Sequence, residues 1–285
     1  MILFGTDVAA NINNSLTQKI SSLKQNAIIP KLAIIRVGNN QSDLSYERGI
    51  LKKFSGLGIA TQVYEFPENI SQSDFDSQFQ EINLDAKTHA ILLFRPLPKN
   101  LSDKFAREKI LASKDVDCMG YINTAKLFSG EIRDSGFAPC TPSAVMEILD
   151  YYKIDVAGKN VVIIGRSMVA GRPLSMLMLN RNATVTICHS QTQNLAQICS
   201  QADILVSAIG KAEFVRREFV NEKMLVIDVG INVNSSGKLC GDVAFDDVKE
   251  FVAGITPVPR GVGAVTTSVL AKNLLRACEL VNNQV

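Results

Sequence analysis

The chain has 285 residues, 46% of them hydrophobic, with 30 Lys and Arg against 28 Asp and Glu and a formal net charge of +2. That length carries one large or two medium domains, and the near-balanced charge gives no footing for nucleic acid or an anionic membrane surface. No apolar run reaches the roughly 18 residues of a membrane span, and the opening MILFGTDVAANINN lacks the basic start of a secretory signal, so a cytoplasmic protein is expected.

Patterning along the chain alternates strand and helix. It predicts a helix over about 7–26, the strand KLAIIRV, a helix over about 43–57, the strand TQVYEF, a helix over about 72–84 and the strand HAILLF. A turn-rich stretch, PLPKNLSDKF, follows. The second half reads as the helix PSAVMEILDYY, the strand NVVIIG, the helix RPLSMLMLN, the strand ATVTICH, the helix TQNLAQICSQ, the strands DILVSAIG and KMLVIDVG, and a last periodic segment over about 262–280. Strands alternating with helices imply parallel sheets flanked by helices, and the near-continuous apolar character of the strands implies burial on both faces. The fold class expected is α/β, in two domains, one of them doubly wound. The loop-rich region 114–142, with three Gly and two Pro, is the candidate boundary.

Six cysteines are spread over positions 118, 140, 188, 199, 240 and 278 with no C-x-x-C pair. They read as small buried hydrophobes in a reducing compartment. His89 and His189 are the two histidines, and no H-E-x-x-H occurs. A metal site is therefore not expected.

One loop points to an anion. After NVVIIG comes 165-GRSMVAGRP-173. A glycine closing a strand, a short loop and a helix start bring backbone N–H groups and a helix N-terminus toward a phosphate. The spacing is G-x5-G, so Gly165 and Gly171 fit equally a tight strand–helix turn. The next strand ends in CHSQT, without the carboxylate that would bind a ribose 2′-hydroxyl. Arg166, Ser167, His189, Ser190 and Thr192 instead suit a 2′-phosphate, which favours NADP over NAD. The alternatives are a solvated loop cation at Arg166 and a satisfied strand-end imidazole at His189. Two further strands end in glycine, and Ile231 follows Gly230 where backbone could reach the nicotinamide carboxamide. Asp228 reads as a turn cap.

The segments RVGNNQSDLSY, PLP, KDVD, PCTP, GRSMVAGRP, CHSQT, VIDVGIN, GDV and ITPVPRGVGAVTT occur in one order over nearly the whole chain. As a set they resemble the methylenetetrahydrofolate dehydrogenase/cyclohydrolase family. The resemblance implies two domains around a cleft: 1–140, with the C-terminal helix about 263–285, for folate, and 141–262 as a Rossmann-like NADP domain. It implies a homodimer. It also implies hydride transfer from 5,10-methylenetetrahydrofolate to NADP, giving the 5,10-methenyl cation, which bifunctional members hydrolyse to 10-formyltetrahydrofolate. Asp117 matches the family's pterin-binding Asp and Tyr46 its stacking Tyr; on their own they read as a loop cap and a half-buried helix residue.

Two positions depart from the pattern. Ile50 stands four residues after Tyr46 where the family has the Lys assigned to the cyclohydrolase step, and Phe94 stands where it has the Gln supporting that Lys. Arg95, Arg260, Ala264 and Ala170 also differ. An Ile and a Phe cannot move a proton. The expected activity is therefore the dehydrogenase, with the cyclohydrolase weak or absent. One alternative is a bifunctional enzyme in which Arg95 or Lys53 has taken over. Another is a paralogue without catalysis that binds folate or another anionic ligand.

Overall fold

The computed structural model describes residues 1–282, with the side chains of residues 133, 134, 281 and 282 left aside; the last three positions of the expected C-terminal segment lie outside the described residues. The chain divides into two compact units, one of residues 12–138 and 267–285, the other of residues 1–11 and 139–266.

In the first unit the element order is α1 (Gly5–Gln25), β1 (Lys31–Val37), α2 (Gln41–Leu57), β2 (Ala60–Phe66), α3 (Gln72–Leu84), β3 (Ala90–Leu93), α4 (Lys104–Lys109), α5 (Tyr121–Ser129) and α6 (Ile132–Ser135). The boundary between the units falls inside α1, at Asn11. Strands β2, β1 and β3 form a parallel sheet in that order. From Leu32 to Val37 the central strand β1 is wholly buried, which is why it reads as an unbroken apolar run interrupted only by Arg36. Phe75, Phe79 and Ile82 of α3 cover Ile35, Ile91 and Leu93 of the sheet. Each such side chain contributes roughly 1.5–3 kcal/mol by leaving water.

Helix α2 has clear ends. Asn40 accepts a hydrogen bond from the Ser42 N–H, and Gly58, in the left-handed region at φ 70°, stops the helix. Its inward stripe is Glu47, Ile50 and Phe54, spaced as one face of a helix requires. Glu47 is buried because Arg36 is: the guanidinium meets Glu47 at 2.9 Å, Glu65 at 2.8 Å, Asn39 Oδ1 at 2.8 Å and the Gly38 carbonyl. A buried cation tolerates this only with full pairing.

In the second unit the order is α7 (Cys140–Tyr151), β4 (Asn160–Ile164), α8 (Gly171–Leu179), β5 (Thr184–Cys188), α9 (Leu195–Ser200), β6 (Ile204–Ser207), β7 (Leu225–Asp228), the hairpin β8 (Asn232–Val233) and β9 (Leu239–Cys240), α10 (Phe245–Val248) and β10 (Gly254–Ile255); the last helix, α11 (Val262–Asn282), begins here and from Thr267 onward belongs to the first unit. Its parallel sheet runs β10-β7-β6-β4-β5. The strand order reverses between β4 and β6, and a doubly wound sheet binds its ligand outside the carboxyl ends at such a reversal.

The two-residue strand β10 and the β8–β9 hairpin escaped the sequence reading, being too short to show periodicity. Residues 1–11 were expected with the first domain; the contacts place them with the second unit. The reason is backbone pairing: Met1 and Leu3 exchange hydrogen bonds with Ile255, and Ile2 bridges it in parallel. Region 114–142 is less loop-like than expected, since α5 and α6 fall within it. No helix among the described residues is long and apolar enough to cross a membrane.

Candidate functional site

In the first unit, Tyr46 projects from α2 and is 38% exposed. Its ring stacks on Phe94, with centroids 5.8 Å apart and planes 30° from parallel. Phe94 follows β3, keeps the ladder to β1 through its N–H to the Ile35 carbonyl at 2.9 Å, and is buried. Ile50, one turn beyond Tyr46, is fully buried. So the two positions where the sequence departs from the family pattern carry core-like apolar side chains.

Asp117 sits half-buried in the turn between α4 and α5. That turn is built by Asp115, whose carboxylate accepts from the Met119 N–H at 2.8 Å, the Gly120 N–H at 3.0 Å and Asn123 Nδ2 at 3.0 Å. Burial pushes the Asp115 carboxyl up to about 6 despite these donors. Cys118 adopts φ 53°, and its thiol is raised to about 12, first by burial, with Asp115 and Asp117 adding to the rise and Arg95 opposing it. Arg95 and Asp117 therefore share one neighbourhood. Arg95 also pairs with Asp103 at 3.6 Å, which holds its guanidinium to the start of α4.

Lys53 points to α11: its Nζ donates to the buried Ser268 Oγ at 2.6 Å. Burial lowers its pKa. Ser268 lies far off in sequence, and no local pattern signals that partner. Asp115 was missed too, although it stands two residues before Asp117 in KDVD.

In the second unit, Gly165 closes β4 at φ 124°, and a Cβ there would strike the Ala208 carbonyl oxygen beyond β6. Gly171 opens α8 so close to the Gly165 carbonyl that any side chain would overlap it. Both positions demand glycine for close approach, not merely for a turn. Arg166 and Ser167 stand exposed on the loop between them, with Ser167 Oγ accepting from the Ala170 N–H. His189 and Ser190 follow β5, the neighbour of β4. His189 Nδ1 accepts from the Gln191 N–H at 3.2 Å, and the His189 N–H donates to Thr192 Oγ1 at 2.9 Å. The ring thus orders its own turn at the end of β5. A guanidinium, hydroxyls and a loop closed at both ends by glycine, at the sheet's reversal point, suit a dinucleotide phosphate.

Ile231 is 63% exposed on the turn into β8 and shares a cavity of about 350 Å³ with Arg260 and Thr6. Arg260 takes φ 80°, unusual for a side-chain-bearing residue, and lays its guanidinium 4.5 Å over the Phe4 ring. Beneath this region two buried carboxylates tie the strand ends together. Asp228 accepts from the N–H groups of Gly230, Asp242 and Val243. Asp242 accepts from Ser207 Oγ, the Ile209 and Lys211 N–H groups and Asn232 Nδ2. Asp228 caps its turn as expected, through the Gly230 N–H, and is also half of this paired clamp. Burial pushes its carboxyl up to about 7. Among the described residues no three potential metal ligands cluster.

Comparison with known proteins covers both units. Residues 3–117 match the model of the tetrahydrofolate dehydrogenase/cyclohydrolase catalytic domain, and residues 139–282 match that of the NAD(P)-binding domain of the same family. A protein of Clostridium botulinum named bifunctional protein FolD is 52% identical over 98% of both chains. The bifunctional FolD enzyme of Campylobacter jejuni superposes with a TM-score of 0.95 at 39% identity over 99% of each chain. The Trypanosoma brucei methylenetetrahydrofolate dehydrogenase-cyclohydrolase, solved with NADP and an inhibitor, gives 0.92 at 35% identity, covering 99% of this chain and 98% of that one.

Proposed function

The chain belongs to the tetrahydrofolate dehydrogenase/cyclohydrolase family, and from that premise we propose that it oxidises 5,10-methylenetetrahydrofolate to the 5,10-methenyl cation with NADP as acceptor. The observation that carries this is the pairing of two sites on one chain. One holds an exposed aromatic face and a carboxylate, Tyr46 and Asp117. The other is a glycine-walled loop at a sheet reversal, Gly165 to Gly171, with Arg166 and Ser167 on it.

Each residue then has a task. Tyr46 stacks the flat substrate ring. Asp117 accepts hydrogen bonds from pterin N–H groups and fixes its orientation. The loop N–H groups bind the cofactor's diphosphate, while Arg166, Ser190 and His189 take the 2′-phosphate. Ile231 backbone groups meet the carboxamide. The bound cofactor supplies the hydride acceptor, and the substrate's own nitrogen lone pairs expel the hydride, so the chain contributes orientation and electrostatics rather than a covalent nucleophile. The chain is proposed to act as a homodimer, which sedimentation at assay concentration tests.

For the hydration step, relatives sharing half of this sequence carry the word bifunctional in their names, and this supports the full two-step reaction over a dehydrogenase alone. With Ile50 and Phe94 apolar, the proton-handling group proposed is Lys53. Its ammonium is half-buried and its pKa depressed by desolvation, which raises the fraction able to accept a proton. Arg95, held by Asp103, serves as a fixed charge beside Asp117.

A two-step spectrophotometric assay tests the proposal. Methenyl absorbance appears with NADP, then decays faster than the buffer control; absence of the first signal with both NADP and NAD overturns the dehydrogenase reading. Lys53→Met retains the first step and loses the second. Retention of enzymatic decay in that variant removes Lys53 from the mechanism.

A further inference from the structure

We propose that Phe94 is a positioning residue for substrate recognition: it sets the plane of the Tyr46 ring, so that the substrate's flat ring adds to a stack already begun inside the protein. The inference rests on the folate reading given above and deepens it.

Three observations carry it. First, the two rings lie 5.8 Å apart with planes 30° from parallel, an offset-stacked geometry rather than an edge contact. Second, the two partners differ in freedom. Phe94 is 7% exposed and its backbone is locked into the sheet by the hydrogen bond to Ile35, whereas Tyr46 is 38% exposed on a helix surface. A surface Tyr without such a neighbour would distribute over staggered side-chain rotamers. Stacked on a buried ring, it is biased toward the orientation that keeps the two planes near parallel. Third, the backbone beneath Tyr46 is fixed independently. Its chain neighbour Glu47 is buried on Arg36, and Asn40 caps the same helix. The helix therefore fixes where Tyr46 stands, and the Phe94 stack contributes to how its ring faces.

Order arranged before binding lowers the entropy lost on binding. The predicted effect is thus on substrate affinity, with little effect on the chemical step once substrate is held. An amide at position 94 would offer hydrogen bonds but no ring face. A Phe gives up that polar contact and provides a stacking platform, so the exchange read from the sequence alters what the position does.

The test is a set of variants read by steady-state kinetics and by calorimetric binding of tetrahydrofolate and of NADP. Phe94→Leu keeps an apolar side chain but removes the ring. It is expected to raise the KM for methylenetetrahydrofolate roughly three- to tenfold, the range of an aromatic pair, with kcat within about twofold and NADP affinity unchanged. Phe94→Tyr restores the ring and the KM. In a Tyr46→Leu background, Phe94→Leu is expected to add almost nothing, because the pair acts as a unit. A Phe94→Leu KM equal to the parent's overturns the proposal, as does an equal rise in both backgrounds. Should Phe94→Leu melt early, Phe94→Met carries the same comparison in a better-filled core. If the parent protein lacks NADP-linked oxidation, the functional reading fails by itself. Tetrahydrofolate binding weakened by Phe94→Leu then still sustains the stack.

Discussion

Arg166 stands exposed one residue after the glycine that closes β4, and its value lies in the charge it can offer. A charged hydrogen bond to a phosphate is worth about 1.5–3 kcal/mol. Arg166→Ala is therefore expected to weaken NADP binding by roughly 10- to 100-fold while leaving NAD binding nearly unchanged, as titration calorimetry with the two cofactors reads. Equal losses would show that another group meets the 2′-phosphate. Ile50 is the opposite case, an apolar residue with no exposed surface. It is fully buried on the stripe shared with Glu47 and Phe54. Ile50→Lys alone places an ammonium in that interior, and urea denaturation is expected to show a loss of several kcal/mol.

At the scale of elements, the β4–loop–α8 unit depends on close backbone approach. Gly171→Ala forces a methyl group into the Gly165 carbonyl. It is expected to lower the melting temperature and to weaken NADP binding together, because helix and loop must separate. Gly56 offers a contrast within α2. It lies in a helix, and a Cβ there would meet nothing within 4 Å. Gly56→Ala is expected to stabilise the protein by about 0.5–1 kcal/mol through helix propensity alone, visible as a higher urea midpoint. A destabilised Gly56→Ala would mean that an unseen contact governs that turn.

Across the whole molecule, the buried carboxyl of Asp228 couples stability to pH. Its folded pKa, about 7, lies above the ordinary 3.8 because burial disfavours the charge. The folded state thus binds the proton more tightly than the unfolded chain does. That contribution is fully present below about pH 4 and is lost as pH rises through about 7. His89, whose pKa burial lowers, works in the other direction, so the comparison must be between variants. From pH 5 to pH 7 the parent is expected to lose roughly 2–3 kcal/mol more stability than Asp228→Asn, measured by urea unfolding at each pH. Parallel pH profiles would show that Asp228 stays ionised in the folded protein, held by its three N–H donors.

The sequence by itself determined the alternation of strands and helices, the glycine loop after NVVIIG and the positions of Tyr46 and Asp117 along the chain. These features are local: periodicity, turn chemistry and short motifs are written within a few residues of one another. Tertiary structure decided what local pattern cannot hold. It placed Met1 to Leu3 on the edge of a sheet whose other strands begin far along the chain, joined Asp228 to Asp242, gave Lys53 a buried hydroxyl on α11 and laid Tyr46 against Phe94. Each is a contact between residues far apart in sequence, made because packing brings their elements together. A Phe in a strand reads the same whether its ring faces bare core or a neighbouring tyrosine, and only the folded chain distinguishes the two.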